Sequence, residues 1–424
     1  MTASYTRTKI SDSIGYTSIL DSKFKTNTIK VRFLQSLCPD KASAYALAGS
    51  LLATSNKNLP TLAVMSKKMS MLYGANISLS VSKQGDLQVI TMTISAIDDK
   101  YALNGEPVLN EILQVLLDCI FNPNAENNAF DRTMFNVKQK DLLDTIDAEI
   151  NNKRGYVIQQ ASKTIFKDEP ASYSCYGTKE QVLNLTPENV YSAYKEMLNK
   201  SMIEIYFVGA SPKPFVEEAF KKAFSSYERE AVPVSFRTES KVKETPVTVT
   251  EKLPVNQCKM VLGFKVSDKN LYAVKMMNLI YGQTPFSKLF ANVREKLSLC
   301  YYCASNYIES KYTMMVDSGV EKENIEKAKT EILHQLDEVK AGNFTDEEIE
   351  NARMSALNSV KGIGDTPSSY VSWHFTGISR GKFNTIEEEA EAYKNVTREE
   401  IIKAANSVKL DTIYIMEQED SENE

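Results

Sequence analysis

The order of predicted structural elements occurs twice along this chain, and no other feature restricts the fold as strongly. A threonine that can cap a helix precedes the last strand of each half: Thr186 precedes Ile203–Val208, and Thr397 precedes Thr412–Met416. The two threonines are 397 − 186 = 211 residues apart, about half of the 424-residue chain. A repeat of this length is too long for a solenoid unit and predicts a duplicated domain.

Hydrophobic periodicity predicts strands and helices in both halves. The segments expected to form strands are Thr28–Gln35, Ile77–Val81, Gln88–Ser95, Met202–Gly209, Gln257–Val266, two strands within Tyr301–Val316, and Thr412–Met416. Helical patterns cover Asp40–Thr54, Leu62–Tyr73, Glu106–Phe121, Asn128–Phe166, Pro187–Leu198, Leu271–Tyr281, Pro285–Lys296, Glu321–Lys340 and Thr345–Ser359. Antiparallel strands beside long helices predict an α+β fold class of two homologous domains, each a mostly antiparallel sheet covered by helices.

The composition changes between the two halves. The segment Tyr227–Lys252 is charged, contains Pro233 and Pro246, and lacks helical periodicity. Such a segment is typical of a linker that runs into the next strand. We therefore predict a first domain at residues 1-228, a linker at 229-252 and a second domain at 253-424.

Charge and hydropathy exclude several classes of function. The net charge is −5, with 42% hydrophobic and 25% charged residues, which is typical of a soluble globular protein and argues against nucleic-acid binding. No run of about 18 apolar residues predicts a membrane span, and the first residues lack the apolar core of a signal peptide. We expect a cytoplasmic protein that binds neither nucleic acid nor membrane.

The six cysteines do not form the pattern of a disulfide framework, so we expect reduced thiols. Cys300 and Cys303 form a C-x-x-C pair within a predicted strand, whereas a redox pair has its first cysteine at an exposed helix start. The position favours buried packing over a redox or metal-binding role. Nucleophilic catalysis by either thiol lacks a nearby histidine base.

The stretch Thr284–Cys303 predicts a helix, a tight turn and a strand. Its apolar positions, expected to form one stripe that faces the core, are Phe286, Leu289, Phe290, Val293 and Leu297. Arg294 lies beside this stripe, and Tyr301 follows seven residues later, beyond the turn. A strand that folds back over the helix would bring the guanidinium and the hydroxyl over one pocket.

The segment VREKLSLCYY within this stretch resembles the carboxy-terminal signature of insulinase/pitrilysin-type metallopeptidases, V-R-E-x-x-x-L-x-Y. Arg294, Glu295, Leu299 and Tyr301 match the signature, and Ser298 stands where the family usually has glycine. The resemblance implies two homologous pitrilysin/LuxS-like α+β halves, in agreement with the repeat. It also implies that Arg294 steadies a substrate carbonyl and that Tyr301 donates its hydroxyl to the oxyanion.

Active members of that family carry an inverted zinc motif, H-x-x-E-H, in an early helix of the first half. This chain has only two histidines, His334 and His374, and neither lies there. The corresponding segment, Ala44–Leu52 (AYALAGSLL), offers no imidazole, thiolate or carboxylate. Asp144, near the position of the distant family glutamate, is expected to be solvated, as is His334, while His374 is expected in the core. We predict no cofactor in this chain.

The resemblance therefore implies a zinc-less, non-catalytic subunit of the bacterial processing-peptidase-like branch. Such a chain would be inactive alone and would pair with a zinc-bearing homologue that supplies the metal for peptide hydrolysis. A second hypothesis is a non-enzymatic peptide-binding or scaffold protein with the same fold. A structural ion pair at Arg294 and a packed Tyr301 would produce the same sequence, so both hypotheses stay open here.

Overall fold

The strands of the computed structural model, which describes residues 3–419, form two large sheets and one two-residue pair. The strand bounds are β1 (Ser4–Ser11), β2 (Ile14–Leu20), β3 (Thr26–Ser36), β4 (Asn76–Gln84), β5 (Leu87–Ile97), β6 (Ala125–Glu126), β7 (Ala129–Phe130), β8 (Met202–Gly209), β9 (Val247–Leu253), β10 (Cys258–Val266), β11 (Cys300–Ile308), β12 (Thr313–Val320) and β13 (Val408–Gln418).

The predicted helices occur in the predicted order. The bounds of the helices are α1 (Pro39–Leu52), α2 (Leu62–Met71), α3 (Val108–Phe121), α4 (Arg132–Ala148), α5 (Lys153–Ile165), α6 (Lys179–Leu183), α7 (Pro187–Lys200), α8 (Pro214–Phe224), α9 (Leu271–Asn278), α10 (Ile325–Lys340), α11 (Asp346–Lys361), α12 (Pro367–Arg380), α13 (Ile386–Lys394) and α14 (Arg398–Asn406). Of these, α6, α8, α12 and α13 are additional to the predicted helices. Two further segments, Leu279–Gln283 and Leu289–Lys296, are π-helical.

The described residues group into two compact units. Unit 1 contains residues 3–148, 173–235 and 366–371, and unit 2 contains residues 149–172, 236–365 and 372–419. Segments from each half of the sequence thus contribute to both units. The domain boundaries 1-228, 229-252 and 253-424 describe the duplicated segments and stay a prediction; the last residues of the predicted linker are part of β9.

Unit 1 is built on a six-stranded sheet with the order β1-β2-β8-β3-β5-β4. The pair β2/β8 is parallel, and the other pairs are antiparallel. Helices α1, α3 and α7 contribute to its apolar core, where Phe33 of β3, Leu47 of α1 and Ile112 of α3 are fully buried. The apolar faces of these helices and of the sheet bury each other, which supplies the main stabilisation of the unit.

Unit 2 is built on a five-stranded sheet with the order β11-β12-β10-β13-β9. Here β9/β13 is the parallel pair, and the other pairs are antiparallel. One face packs against a core that includes Phe264 and Met276, while Val157 and Ile165 of α5 pack on Val261 on the other face. Because both faces are covered, eight of the nine residues of β10 are buried.

The two sheets therefore share one topology once the additional edge strand β1 is set aside: β2-β8-β3-β5-β4 corresponds to β9-β13-β10-β12-β11. The threonines that indicated the repeat are both helix caps. Thr186 forms a capping box with Asn189, and Thr397 forms one with Glu400. The predicted α+β fold class is confirmed.

Three local predictions need correction. The helical region expected over Asn128–Phe166 is divided into α4 and α5, with the short strand β7 inside its start and a 3₁₀ turn between the helices. Strands β1 and β2 were not predicted: nearly all of β1 is exposed and lacks apolar alternation, whereas β2 is mostly buried and was missed. The helix expected from Pro285 begins at Leu289 and is π-helical.

Candidate functional site

The segment before β11 positions the two predicted site residues. In the π-helical segment Leu289–Lys296, Leu289 and Val293 are fully buried, but Phe286 and Leu297, which were expected in the core, are 41% and 45% exposed. The backbone amide of Leu297 donates to the carbonyl of Asn292, five residues earlier, at 3.0 Å. The predicted stripe is therefore wrong at both ends: Phe286 precedes the helix, and in a π-helix a spacing of three and four residues no longer keeps side chains on one line.

Ser298 forms the turn between this helix and β11. Its φ angle is +50°, in the left-handed region that glycine adopts without steric cost. The signature glycine that Ser298 replaces would occupy this conformation more easily. The turn sends the chain back along the helix and into β11, as the sequence predicted.

Arg294 and Tyr301 line the same cavity of unit 2, which has an empty volume of about 800 Å³. The other lining residues are Glu295, Ser298, Leu299, Cys300, Glu321 and Asn324. The structure therefore brings together the guanidinium and the phenol that the signature places seven residues apart.

A change of strand register places Tyr301 at this cavity. Along β11, Cys300 pairs with Val320 and Tyr302 pairs with Gly319, so Tyr301 is an extra residue without a partner in β12. Such a bulge redirects the side chains that follow it. Tyr301 is 59% exposed and lies at the outer strand of the sheet, whereas Cys300 and Cys303 pack against the apolar core.

The hydroxyl of Tyr301 donates a hydrogen bond to a carboxylate oxygen of Glu321. This bond, together with the negative charge of Glu321, raises the pKa of Tyr301, so the phenol keeps its proton. Sequence reasoning missed Glu321. No local signal predicts this contact, because the two residues are 20 positions apart and meet only through the pairing of β11 with β12.

Tyr302 lies in different surroundings. The guanidinium carbon of Arg154 is 4.5 Å from the centroid of its ring, and Lys259 Nζ is 5.5 Å from it. Its hydroxyl is buried and has no hydrogen-bond partner among the described residues. Of the two adjacent tyrosines, Tyr301 is the one that lines the cavity with Arg294.

Arg294 has few partners of its own. Its Nε lies 3.5 Å from Glu295 Oε1, and its guanidinium carbon is 4.7 Å from the centroid of the Phe290 ring. The side chain is 42% exposed. The pKa of Cys300 is lowered, mainly by a hydrogen bond from Cys303 and to a smaller extent by the positive charge of Arg294. An exposed pair of adjacent residues contributes little to stability, so Arg294 is available to a ligand.

Comparison with known proteins identifies the kind of chain that carries this pair. The family description "Peptidase M16 inactive domain" matches residues 184–356. The "Probable inactive metalloprotease YmfF" of Bacillus subtilis (strain 168) is 29% identical over 398 residues, which cover 93% of each chain. The chain is an M16 peptidase homologue.

Two further comparisons agree with this assignment. The "Uncharacterized zinc protease YmxG" of the same organism is 23% identical over 313 residues, covering 72% of this chain and 71% of that protein. A crystal structure of a conserved protein from Enterococcus faecalis V583 has a TM-score of 0.92 at 24% identity, and the match covers 99% of this chain and 100% of that one. The latter likeness concerns the fold alone.

Zinc, the metal that the M16 fold implies, does not fit the residues of this chain. The buried positions of α1 carry only alanine, serine, tyrosine, leucine and glycine, none of which ligates zinc here. Within residues 3–419, no group of three or more His, Cys, Asp or Glu side chains is arranged to hold a metal ion. Asp144 and His334 are exposed and His374 is buried, as predicted. The chain is an inactive M16-like peptidase homologue.

Across residues 3–419, no helix combines the length and the apolar composition that a membrane span requires.

Proposed function

We propose that this M16 homologue is the zinc-less subunit of a peptidase heterodimer. It contributes substrate binding and oxyanion stabilisation, and a zinc-bearing homologous partner supplies the metal and the attacking water. The observation that carries the proposal is the shared cavity of Arg294 and Tyr301. Alone, the chain does not hydrolyse peptides, because donors without a nucleophile cannot cleave an amide.

The surroundings of both residues argue against a purely structural role. A tyrosine that stabilised the core would be buried, but most of Tyr301 is exposed. An arginine that held two elements together would bind a distant carboxylate, whereas Arg294 contacts its neighbour Glu295. Two polar groups that face a common cavity and stabilise little are typical of a ligand site.

Glu321 already accepts a hydrogen bond from the Tyr301 hydroxyl. A phenol is protonated at neutral pH, and Glu321 raises the pKa of Tyr301 further, so the hydroxyl can donate its hydrogen. In the proposed reaction this hydrogen bond moves from Glu321 to the tetrahedral oxygen, where a donor is effective at about 3 Å. The exposed position of Tyr301 leaves its side chain room to turn.

The partner that fits this proposal is a homologue with an intact H-x-x-E-H motif. Relatives named as zinc proteases support the existence of such chains beside inactive ones. The bacterial sources of the relatives support a bacterial protein, and we propose that it acts on peptides in the cytoplasm.

A binding or scaffold protein without hydrolytic function is the second candidate. The hydrogen bond between Tyr301 and Glu321 favours it, because a donor already occupied by a carboxylate is not aimed at a substrate. The two candidates differ in whether activity of the assembled complex depends on the Tyr301 hydroxyl.

The test is a peptidase assay on the complex co-purified with its zinc-bearing homologue. We expect Tyr301→Phe to lower turnover about 10²-fold, the usual scale for one oxyanion donor, with assembly and zinc content unchanged. Tyr302→Phe is the matched control, since it removes the neighbouring hydroxyl, which has no partner among the described residues. Normal turnover by Tyr301→Phe would contradict the donor role and support the scaffold reading.

Arg294→Ala should raise KM as well as lower turnover, because a carbonyl contact made in the ground state acts on affinity. Arg132→Ala, at a more exposed arginine of unit 1, is the control and should change neither. Metal analysis should find zinc in the complex but no stoichiometric zinc in this chain alone. About one tightly bound zinc per isolated chain would disprove the division of roles.

A further inference from the structure

A second cavity of unit 2 shares no lining residue with the cavity of Arg294 and Tyr301. Its empty volume is about 820 Å³, and its walls come from α9, α11, α12, α13 and the later part of β11. Three charged side chains, Lys275, Arg380 and Glu389, line it together with the aromatic rings of Tyr307 and Trp373. We call it the α9/α12 cavity.

The charged residues belong to a network in which the carboxylates are already saturated with donors. Arg380 binds Glu309 through two bonds of 2.8 and 2.9 Å, and Lys275 Nζ lies 3.2 Å from the same carboxylate. Arg237 also donates to Glu309. Three cations thus share one carboxylate.

Glu389, the second carboxylate, is equally occupied. It accepts hydrogen bonds from the hydroxyl of Tyr272 at 2.6 Å and from the side-chain amide of Asn384 at 3.1 Å. The Nη1 of Arg380 reaches it only at 3.3 and 3.5 Å. Arg380 Nη1 and the ammonium of Lys275 therefore retain hydrogen-bonding capacity, whereas the carboxylates have little left.

We propose that the α9/α12 cavity binds a single carboxylate attached to an apolar or aromatic group, as at the C-terminus of a peptide. The ligand carboxylate would accept from Lys275 and Arg380, and the apolar group would pack on Trp373 and Tyr307.

The charge and the aromatic lining of the cavity favour this ligand class. The network as a whole has three cations, Lys275, Arg380 and Arg237, and two carboxylates, Glu309 and Glu389, which leaves one positive charge to match a monoanion. Burial lowers the pKa of Lys275, and an anion beside it would offset the desolvation of its ammonium. Aromatic walls around a few convergent polar groups are typical of small-ligand sites.

This site is independent of the proposed peptidase role and can be tested on the full chain alone. Trp373 is the only tryptophan in the sequence and lines the cavity, so its fluorescence reports binding there. The probes are N-acetyl-phenylalanine and a pentapeptide ending in phenylalanine, each with a free and an amidated carboxyl group. We expect the free acids to change the Trp373 emission and the amides to bind about tenfold more weakly or worse.

The two free acids distinguish the sources of the carboxylate. Tighter binding of the pentapeptide identifies a peptide C-terminus, and tighter binding of N-acetyl-phenylalanine identifies a small carboxylic acid. Either result supports the carboxylate site. Equal binding of acids and amides on the wild-type chain overturns it without any variant.

Lys275→Met should weaken binding of the free acids about tenfold and bring it close to that of the amides. Lys288→Met is the matched control: Lys288 belongs to the same unit and pairs with Glu348 at 2.9 Å, but it does not line the cavity. Unchanged affinity in a folded Lys275→Met chain, or an equal loss in Lys288→Met, overturns the assignment and leaves the network a structural one.

Discussion

The two sheets of this protein share a strand order but differ in the chemistry placed beside them. In unit 1, α1 follows β3 and carries only apolar and hydroxyl side chains where an active M16 peptidase carries zinc ligands. In unit 2, α9 and the outer strand β11 border two cavities lined by charged residues. The topology is maintained by apolar patterning, whereas function depends on a few polar residues that can be lost without changing the fold.

The edge strands show the same contrast. Both β4 and β11 are outer strands that follow a helix and a turn with positive φ. The register of β4 against β5 is continuous, whereas that of β11 against β12 is shifted at Tyr301. One inserted residue thus distinguishes a plain edge strand from one that presents a phenol to a cavity.

The largest effects are expected in the hydrophobic cores of the two units. The comparison predicts that the two units unfold in separate transitions. Phe33 of β3 and Phe264 of β10 occupy corresponding strands and are fully buried. Replacing either by alanine should lower the free energy of unfolding of its own unit by about 3–5 kcal/mol. In urea titrations, Phe264→Ala should shift the Trp373 fluorescence transition, and Phe33→Ala should shift a circular-dichroism transition that the Trp373 fluorescence does not follow.

Phe33→Leu and Phe264→Leu are the milder controls for this pair. If each alanine variant shifts both transitions equally, the chain unfolds as one cooperative unit, and the units are not separable in stability.

The next effect concerns the ion network around Glu309 in unit 2. Burial opposes ionisation of Glu309, but Arg380, Lys275 and Arg237 overcome it and lower its pKa from 4.5 to about 2. The stabilisation is complete above pH 4.5 and is lost as the pH falls toward 2. It amounts to about 3 kcal/mol, from about 1.4 kcal/mol for each pH unit.

Glu309→Gln should therefore destabilise unit 2 by about 3 kcal/mol at pH 7, and this difference from wild type should shrink between pH 4.5 and 2. Denaturation followed at Trp373 across that range measures it. Asp144→Asn, at an exposed position of unit 1, should stay within about 0.5 kcal/mol of wild type throughout. A difference independent of pH would show that the network does not hold Glu309 ionised.

Local sequence signals predicted most of the elements because their causes are local. Thr186 and Thr397 were predicted to cap helices, and both form capping boxes in the structure. The two halves of the α+β fold were likewise predictable from periodicity. Non-local effects were not: β1 is paired but mostly exposed, and α5 joins unit 2 through contacts far along the chain.

The candidate site, too, was predicted only in part from the sequence. The signature predicted that Arg294 and Tyr301 meet, and both line one cavity. It did not predict the π-helical backbone, the exposure of Phe286 before it and of Leu297 after it, or the bulge at Tyr301. The contact between Tyr301 and Glu321 depends on strand register, which the residues around Tyr301 do not encode.

The smallest effect compares the turns that lead into the two edge strands. Gly74 precedes β4 and Ser298 precedes β11 by two residues each, and their φ angles are +71° and +50°. A side chain in this region costs about 1–2 kcal/mol, partly offset by the 0.5–1 kcal/mol of extra chain entropy that glycine loses on folding. A Cβ at Gly74 would meet no atom within 4 Å, so only the backbone conformation opposes a side chain there. Gly74→Ser should destabilise unit 1, and Ser298→Gly should stabilise unit 2, each by about 0.5–1 kcal/mol in urea titrations. If both substitutions changed the free energy of unfolding in the same direction, contacts of the Ser298 side chain in its cavity, rather than its backbone conformation, would decide its contribution to stability.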